Sequence, residues 1–204
     1  MNRKRIISLY NSIAKAYDGA IGTSEHIDEF AKHIKPKSRI IDIGCGPGNN
    51  AVYLSNLGHD VTGVDLSDEM LKLAKAKNSN ANFIKQDIEK LDFPQNSFDC
   101  AVARNSLCCI SKNKVPKCLM DIHKIINKDG FLFLGMAEGV SGEISFPETF
   151  DPKLLTDLNV VSQKEIEGLL QDAGFTVMKK YKEPDEEWPG INKFFAIAKV
   201  VKSR

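Results

Sequence analysis

The chain has no apolar run approaching the roughly 18 residues that cross a bilayer, so the sequence predicts a soluble protein with no membrane partner. It also lacks an excess of either charge. Lys+Arg number 28 against 27 Asp+Glu, which leaves no overall positive field to draw nucleic acid or an anionic surface and favours a small or neutral substrate. Cysteine is sparse and unpatterned: the five residues are an odd number without a Cys-x-x-Cys pair. A disulfide framework is therefore not expected, no zinc or other metal site is predicted, and reduced thiols in a cytoplasmic compartment are. The basic start, Met1 to Arg5, leads into Asn11, Lys15 and Asp18 rather than an apolar export core. Repeats, low-complexity tracts and any break between two folding units are absent too, so one domain over residues 1–204 is expected.

What is present is an alternation of short apolar runs with segments of helical period from about residue 39, the signature of β-α units around a parallel sheet. Strands are expected at Arg39 to Gly44, Asp60 to Val64, Asn82 to Gln86, Phe98 to Ala103 and Phe131 to Met136, the last after a turn at Asp129-Gly130. Helices are expected from Ala51 to a stop at Gly58, from a cap at Ser67 or Asp68, and over Val115 to Ile126. A further helix starts at Ser162, with Glu165 completing a capping box and Gly174 as its stop. Two β-rich runs, Phe175 to Tyr181 and Phe194 to Val201, close the chain as an edge hairpin. Residues 1–35 form an N-terminal cap of one or two amphipathic helices, and residues 138–161 an irregular insert rich in Gly, Pro and acidic side chains. Ligands of open parallel sheets sit outside the carboxyl ends of the strands, where that insert can supply substrate contacts.

The strongest motif is Ile40-Ile-Asp-Ile-Gly-Cys-Gly-Pro-Gly48, a hydrophobic strand that runs into three glycines and a helix. Without side chains the backbone turns sharply and approaches a ligand, and the helix adds unpaired N–H groups. A dinucleotide fingerprint needs its third glycine at position 49, which is Asn49. Asp65 ends the second strand, where a carboxylate accepts hydrogen bonds from both hydroxyls of a ribose, and Asp87 stands after the third.

Asp42 with Gly44-x-Gly46-x-Gly48 resembles motif I of the class I S-adenosylmethionine-dependent methyltransferases. The likeness is close over roughly residues 36 to 137, and Asp65 to Leu71 resembles the family's adenine-side helix. It implies a Rossmann-like α/β three-layer sandwich with a seven-stranded, mostly parallel sheet in the order 3-2-1-4-5-7-6, the last strand antiparallel. It implies S-adenosylmethionine as cofactor, S-adenosylhomocysteine as product, and in-line methyl transfer to a small-molecule acceptor. The glycine loop with Cys45 would form the cofactor floor, Asp65 and Leu66 would hold the ribose, and Asp87 and Ile88 the adenine. Met70 would lie beside the adenine, although core packing accounts for it equally. Tyr17-Asp18 resembles the N-terminal signature in which an aromatic residue helps to close the site, and Arg104-Asn105-Ser106 falls at the methionine end. Asp99 is expected to be structural, at the far end of the sheet.

No catalytic base is dictated, because displacement at a sulfonium leans on alignment. Tyr17, His26, His123 and Glu138 are the nominees, with Glu138 best placed after the fifth strand. Cys108-Cys109 and Cys45 read as buried small hydrophobes. Two rivals share the fold: a nicotinamide-dependent oxidoreductase, which would need Asp65 but not Asp87, and a non-catalytic scaffold that keeps the pocket.

Overall fold

The computed structural model describes residues 1–77, 79–186, 188 and 190–202. The N-terminal segment folds as α1 (Arg3–Ala20) and α2 (Ile27–Ala31), followed by β1 (Arg39–Ile43), α3 (Asn49–Asn56), β2 (Asp60–Asp65), α4 (Asp68–Ala76), β3 (Asn82–Lys85) and β4 (Phe98–Arg104). The second half runs α5 (Val115–Ile125), β5 (Ile126–Glu138), β6 (Gly142–Pro147), β7 (Leu155–Val160), α6 (Gln163–Asp172), β8 (Phe175–Pro184) and β9 (Asn192–Val200).

The main sheet has seven strands in the order β3-β2-β1-β4-β5-β9-β8. With β6 and β7 set aside, this is the expected order 3-2-1-4-5-7-6. β1 to β5 pair in parallel, β9 runs antiparallel to β5, and β8 pairs antiparallel with β9 at the edge. The central strands β1 and β4 are buried on both faces because helices cover both. Ile41 and Ile43 face the layer of α5 and α6, where Leu119, Ile122, Ile166 and Leu170 are buried. Ile40, their neighbour across the pleat, faces α2, α3 and α4 through Phe30, Leu54 and Leu71. Local signals set the helix starts: Ser67 Oγ accepts Met70 N–H at 3.1 Å, and Ser162 with Glu165 forms a complete capping box.

Two expectations are corrected. Residues 138–161 are not irregular, because β6 and β7 pair as a separate antiparallel hairpin from Gly142↔Val160 to Pro147↔Leu155. Glu143-Ile-Ser-Phe146 alternates polar with apolar, and the apolar half packs on Leu158, Val160 and Ala137. β5 begins at Ile126 rather than Phe131. Asp129, at φ 66°, makes the expected turn, but the ladder passes over it as a bulge between the Phe98↔Ile126 and Cys100↔Phe131 pairs. Among the described residues no helix is long and apolar enough to cross a membrane, and all five cysteines are free thiols.

Candidate active site

The parallel strands end on a common side, and the loops leaving β1, β2, β3 and β4 meet there around a cavity of about 230 Å³. α1 covers it through Arg3, Ile6, Ile7 and Tyr10, and the β6–β7 hairpin closes it through Glu148, Phe150 and Thr156.

The loop after β1 is tied to β2, since Gly44 and Cys45 N–H both donate to the Val64 carbonyl at 2.8 and 3.0 Å. Gly44 has φ 67°, and a Cβ there would stand 2.4 Å from Ser106 Cβ, so no side chain fits between this loop and the one after β4. Gly46 faces the cavity, with Met70 beside it. Gly48 does not. A Cβ on it would meet Ala74 and Phe83 at 2.9 Å, so this glycine admits the packing of α4 and β3 against the start of α3.

Asp65, at the tip of β2, lines the cavity and accepts Gly46 N–H at 2.9 Å and Ser67 N–H at 2.8 Å. Burial raises its pKa, and the backbone donors of Ser67, Gly46 and Leu66 restrain the rise. Asp42 lies behind the loop, 2% exposed, with Oδ2 lacking any hydrogen bond. Burial and then the nearby Asp65 push it up to about 7. Cys45 is buried behind the loop as well, against Gly63, and burial pushes its thiol up. Of the residues assigned to the cofactor, Tyr17, Gly44, Gly46, Asp65, Leu66, Met70, Asp87, Ile88 and Arg104 therefore line one cavity. Asp42, Cys45 and Gly48 support its wall from behind.

Asp87 accepts Glu89 N–H at 3.0 Å and forms an ion pair with Arg3 of α1, a contact between segments that no local pattern announces. At the tip of β4, Arg104 reaches Glu25 at 3.5 Å while its Nε is buried without a hydrogen bond. Lys193 of β9 meets the same Glu25 at 3.3 Å. Asp99, at the opposite end of β4, accepts Arg39 N–H at 2.8 Å and Asn127 Nδ2 at 2.6 Å, a structural position as expected.

Among the nominated bases only Tyr17 is on the cavity, and burial pushes its phenol up to about 12. His26 stacks on Tyr181 and pairs with Glu183 at 2.7 Å, while His123 packs on Phe175 and meets the Val201 carbonyl at 3.1 Å. Both stand outside it. Glu138 is removed from the role by its partners: Lys182 and Asn192 at 2.8 Å and Gln163 N–H at 3.3 Å. Burial opposes ionisation, but these donors outweigh it and hold the carboxyl below its ordinary range.

The sequence reading missed Tyr10, Glu148 and the position of the two vicinal cysteines. Cys108 and Cys109 sit in a single 3-10 turn after β4, line the cavity, and donate to the Asn105 carbonyl at 2.9 and 3.4 Å. Tyr10 Oη lies 3.2 Å from Cys109 Sγ. The adjoining Cys108, then the Tyr10 hydroxyl, holds the Cys109 thiol below its ordinary range, whereas Cys108 is pushed up by Cys109 and by burial. The available signal was position, since the pair directly follows the tip of a parallel strand. Among the described residues no group of three or more His, Cys, Asp or Glu is placed to hold a metal ion.

Comparison with known proteins bears on this geometry. The family described as "Methyltransferase domain" matches residues 41–134. A malonyl-[acyl-carrier protein] O-methyltransferase of Pseudescherichia vulneris is 27% identical over 149 residues, 71% of this chain and 58% of that protein. The chain spans 55% to 60% of the lengths of three curated relatives it matches. Among solved structures, a SAM-dependent methyltransferase from Methanosarcina mazei superposes with a TM-score of 0.76 at 19% identity, covering 90% of this chain and 100% of that one. The 1,6-didemethyltoxoflavin-N1-methyltransferase of Burkholderia thailandensis, solved with bound 1,6-didemethyltoxoflavin and S-adenosylhomocysteine, gives 0.65 at 20% identity, covering 98% and 80%.

Proposed function

We propose, on the premise that this chain belongs to the class I S-adenosylmethionine-dependent methyltransferases through its domain at residues 41–134, that it transfers a methyl group to a small-molecule acceptor in the cavity above β1 and β4. The observation that carries this reading is the convergence of Asp65, Asp87 and the bare Gly44–Gly46 backbone on one cavity.

The residues fit the cofactor. Asp65 presents carboxylate lone pairs to the ribose hydroxyls and is held in place by Gly46 and Ser67 N–H. Asp87 and the N–H of Ile88 suit the adenine edge, with Leu66 and Met70 as apolar flanks. Arg104 brings a guanidinium whose Nε has no protein partner, suited to the methionine carboxylate. When bound, S-adenosylmethionine supplies a methyl group activated by its sulfonium. The chain contributes alignment and exclusion of water: Tyr17, Tyr10 and Phe150 wall the space between cofactor and acceptor. Near-equal numbers of acidic and basic residues favour a small acceptor over nucleic acid.

Calorimetry tests the assignment. S-adenosylhomocysteine is expected to bind with micromolar affinity and to lose about 10- to 100-fold in Asp65→Ala, the effect of removing hydrogen bonds to a charged group. Tight binding of NAD in its place would return the site to the oxidoreductase reading. Turnover of labelled methyl into a metabolite extract separates an enzyme from a scaffold.

A further inference from the structure

We infer that the acceptor carries a cationic nitrogen and that Glu148 is the residue that pairs with it. This rests on the methyl-transfer reading only for calling the occupant an acceptor. Glu148 stands at the end of β6, on the cavity wall, and is 7% exposed. Its carboxylate accepts the Thr156 hydroxyl and, at 3.5 Å, the Phe150 N–H. Among the described residues no Lys, Arg or His pairs with it.

Of the other acids on the cavity wall, Asp87 pairs with Arg3 and Glu89 with Lys114 at 2.7 Å, while Asp65 is held by the Gly46 and Ser67 N–H groups of the cofactor loops. Arg5, which reaches the same hairpin, is engaged by Asp157 and the Leu155 carbonyl, both at 3.3 Å. A buried carboxylate without a counter-charge is costly, and a cation delivered by the ligand relieves it. The neighbouring walls suit such a guest. Tyr10, Tyr17 and Phe150 form an edge-to-face chain with centroid spacings of 6.1 and 5.8 Å, and the faces of such rings attract cations. An acceptor bearing only carboxylate or phosphate would meet like charge at Glu148. The cations on the cavity wall are engaged away from Glu148: Arg3 with Asp87, Lys114 with Glu89, the Met1 ammonium with Glu143, and Arg104 and Lys193 with Glu25.

The test uses three probes of one skeleton on the full chain with S-adenosylhomocysteine present: phenethylamine, 2-phenylethanol and 3-phenylpropionate. Calorimetry is expected to show the amine binding at least about tenfold more tightly than the other two. Glu148→Gln, which keeps the hydrogen bond from Thr156 and so the turn, is expected to erase that preference while thermal stability and S-adenosylhomocysteine affinity stay unchanged; Glu148→Asp should restore part of it. Equal or tighter binding of the carboxylate, no binding of the amine, or full amine affinity in Glu148→Gln would overturn the inference. So would a Glu148→Gln protein that loses affinity for S-adenosylmethionine but not S-adenosylhomocysteine, because the carboxylate would then serve the sulfonium. If S-adenosylhomocysteine itself fails to bind the native chain, the cofactor reading falls, and the amine preference measured without it still decides the role of Glu148.

Discussion

Asp42 keeps a proton at pH values where a surface aspartate has lost it. Its pKa rises from 3.8 to about 7 through burial and, second, the nearness of Asp65. The unfolded chain releases this proton above pH 3.8 while the native state holds it, so the contribution to stability is full below 3.8 and is lost as pH rises to about 7. Asp42→Asn removes the titration. Urea midpoints should show the variant gaining on the native protein between pH 4 and pH 8, by up to about 4 kcal/mol for a shift of about three units; a constant difference across that range would refute the assignment. Asp42, Asp65 and Asp87 were legible because each lies in, at the tip of, or just after an apolar strand in an unbroken local pattern. Glu148 and Tyr10 were not, because what gives them meaning is a cavity made by segments far apart in sequence: Tyr10 meets Cys109 from 99 positions away.

Among the elements, α1 is the one whose docking bears on ligand entry. Arg3 pairs with Asp87, Arg5 with Asp157, and Asn11 accepts the Ser67 hydroxyl at 2.7 Å, so the helix is pinned across the tips of β2, β3 and β7. The adenine amino group assigned to Asp87 competes with Arg3 for one carboxylate. Arg3→Ala is therefore expected to tighten S-adenosylhomocysteine binding by about 2- to 5-fold, the scale of a partly exposed ion pair. Calorimetry giving equal or weaker affinity would mean that Arg3 supports the site rather than contends for it. The β-α elements were legible from their apolar runs and caps, as the completed Ser162–Glu165 box illustrates. The β6–β7 hairpin was not: a four-residue alternation between Gly142 and Pro147 is outweighed by its breakers until Leu158 and Val160 are there to pack against it.

For the whole molecule, the order of strands came from family resemblance, since periodicity specifies strands but not which neighbours they take. The sheet places the cavity where three separate parts of the chain meet: strand tips, α1 and the hairpin. Binding there should stabilise the entire fold. S-adenosylhomocysteine at a hundred times its Kd adds about 2.7 kcal/mol, a rise in Tm of about 5 to 10 °C for a chain of this size. Amide exchange should slow in α1 as well as in the loop after β1, and protection confined to the loop would contradict the enclosing role of the helix. Among the described residues, the hairpin joins the main sheet's ladder through one isolated bridge pair, Glu138 with Val161 just beyond β7. Remodelling that panel leaves the load of the seven-stranded ladder where it was, so selection can retailor the guest on one side of the chamber without renegotiating the donor on the other.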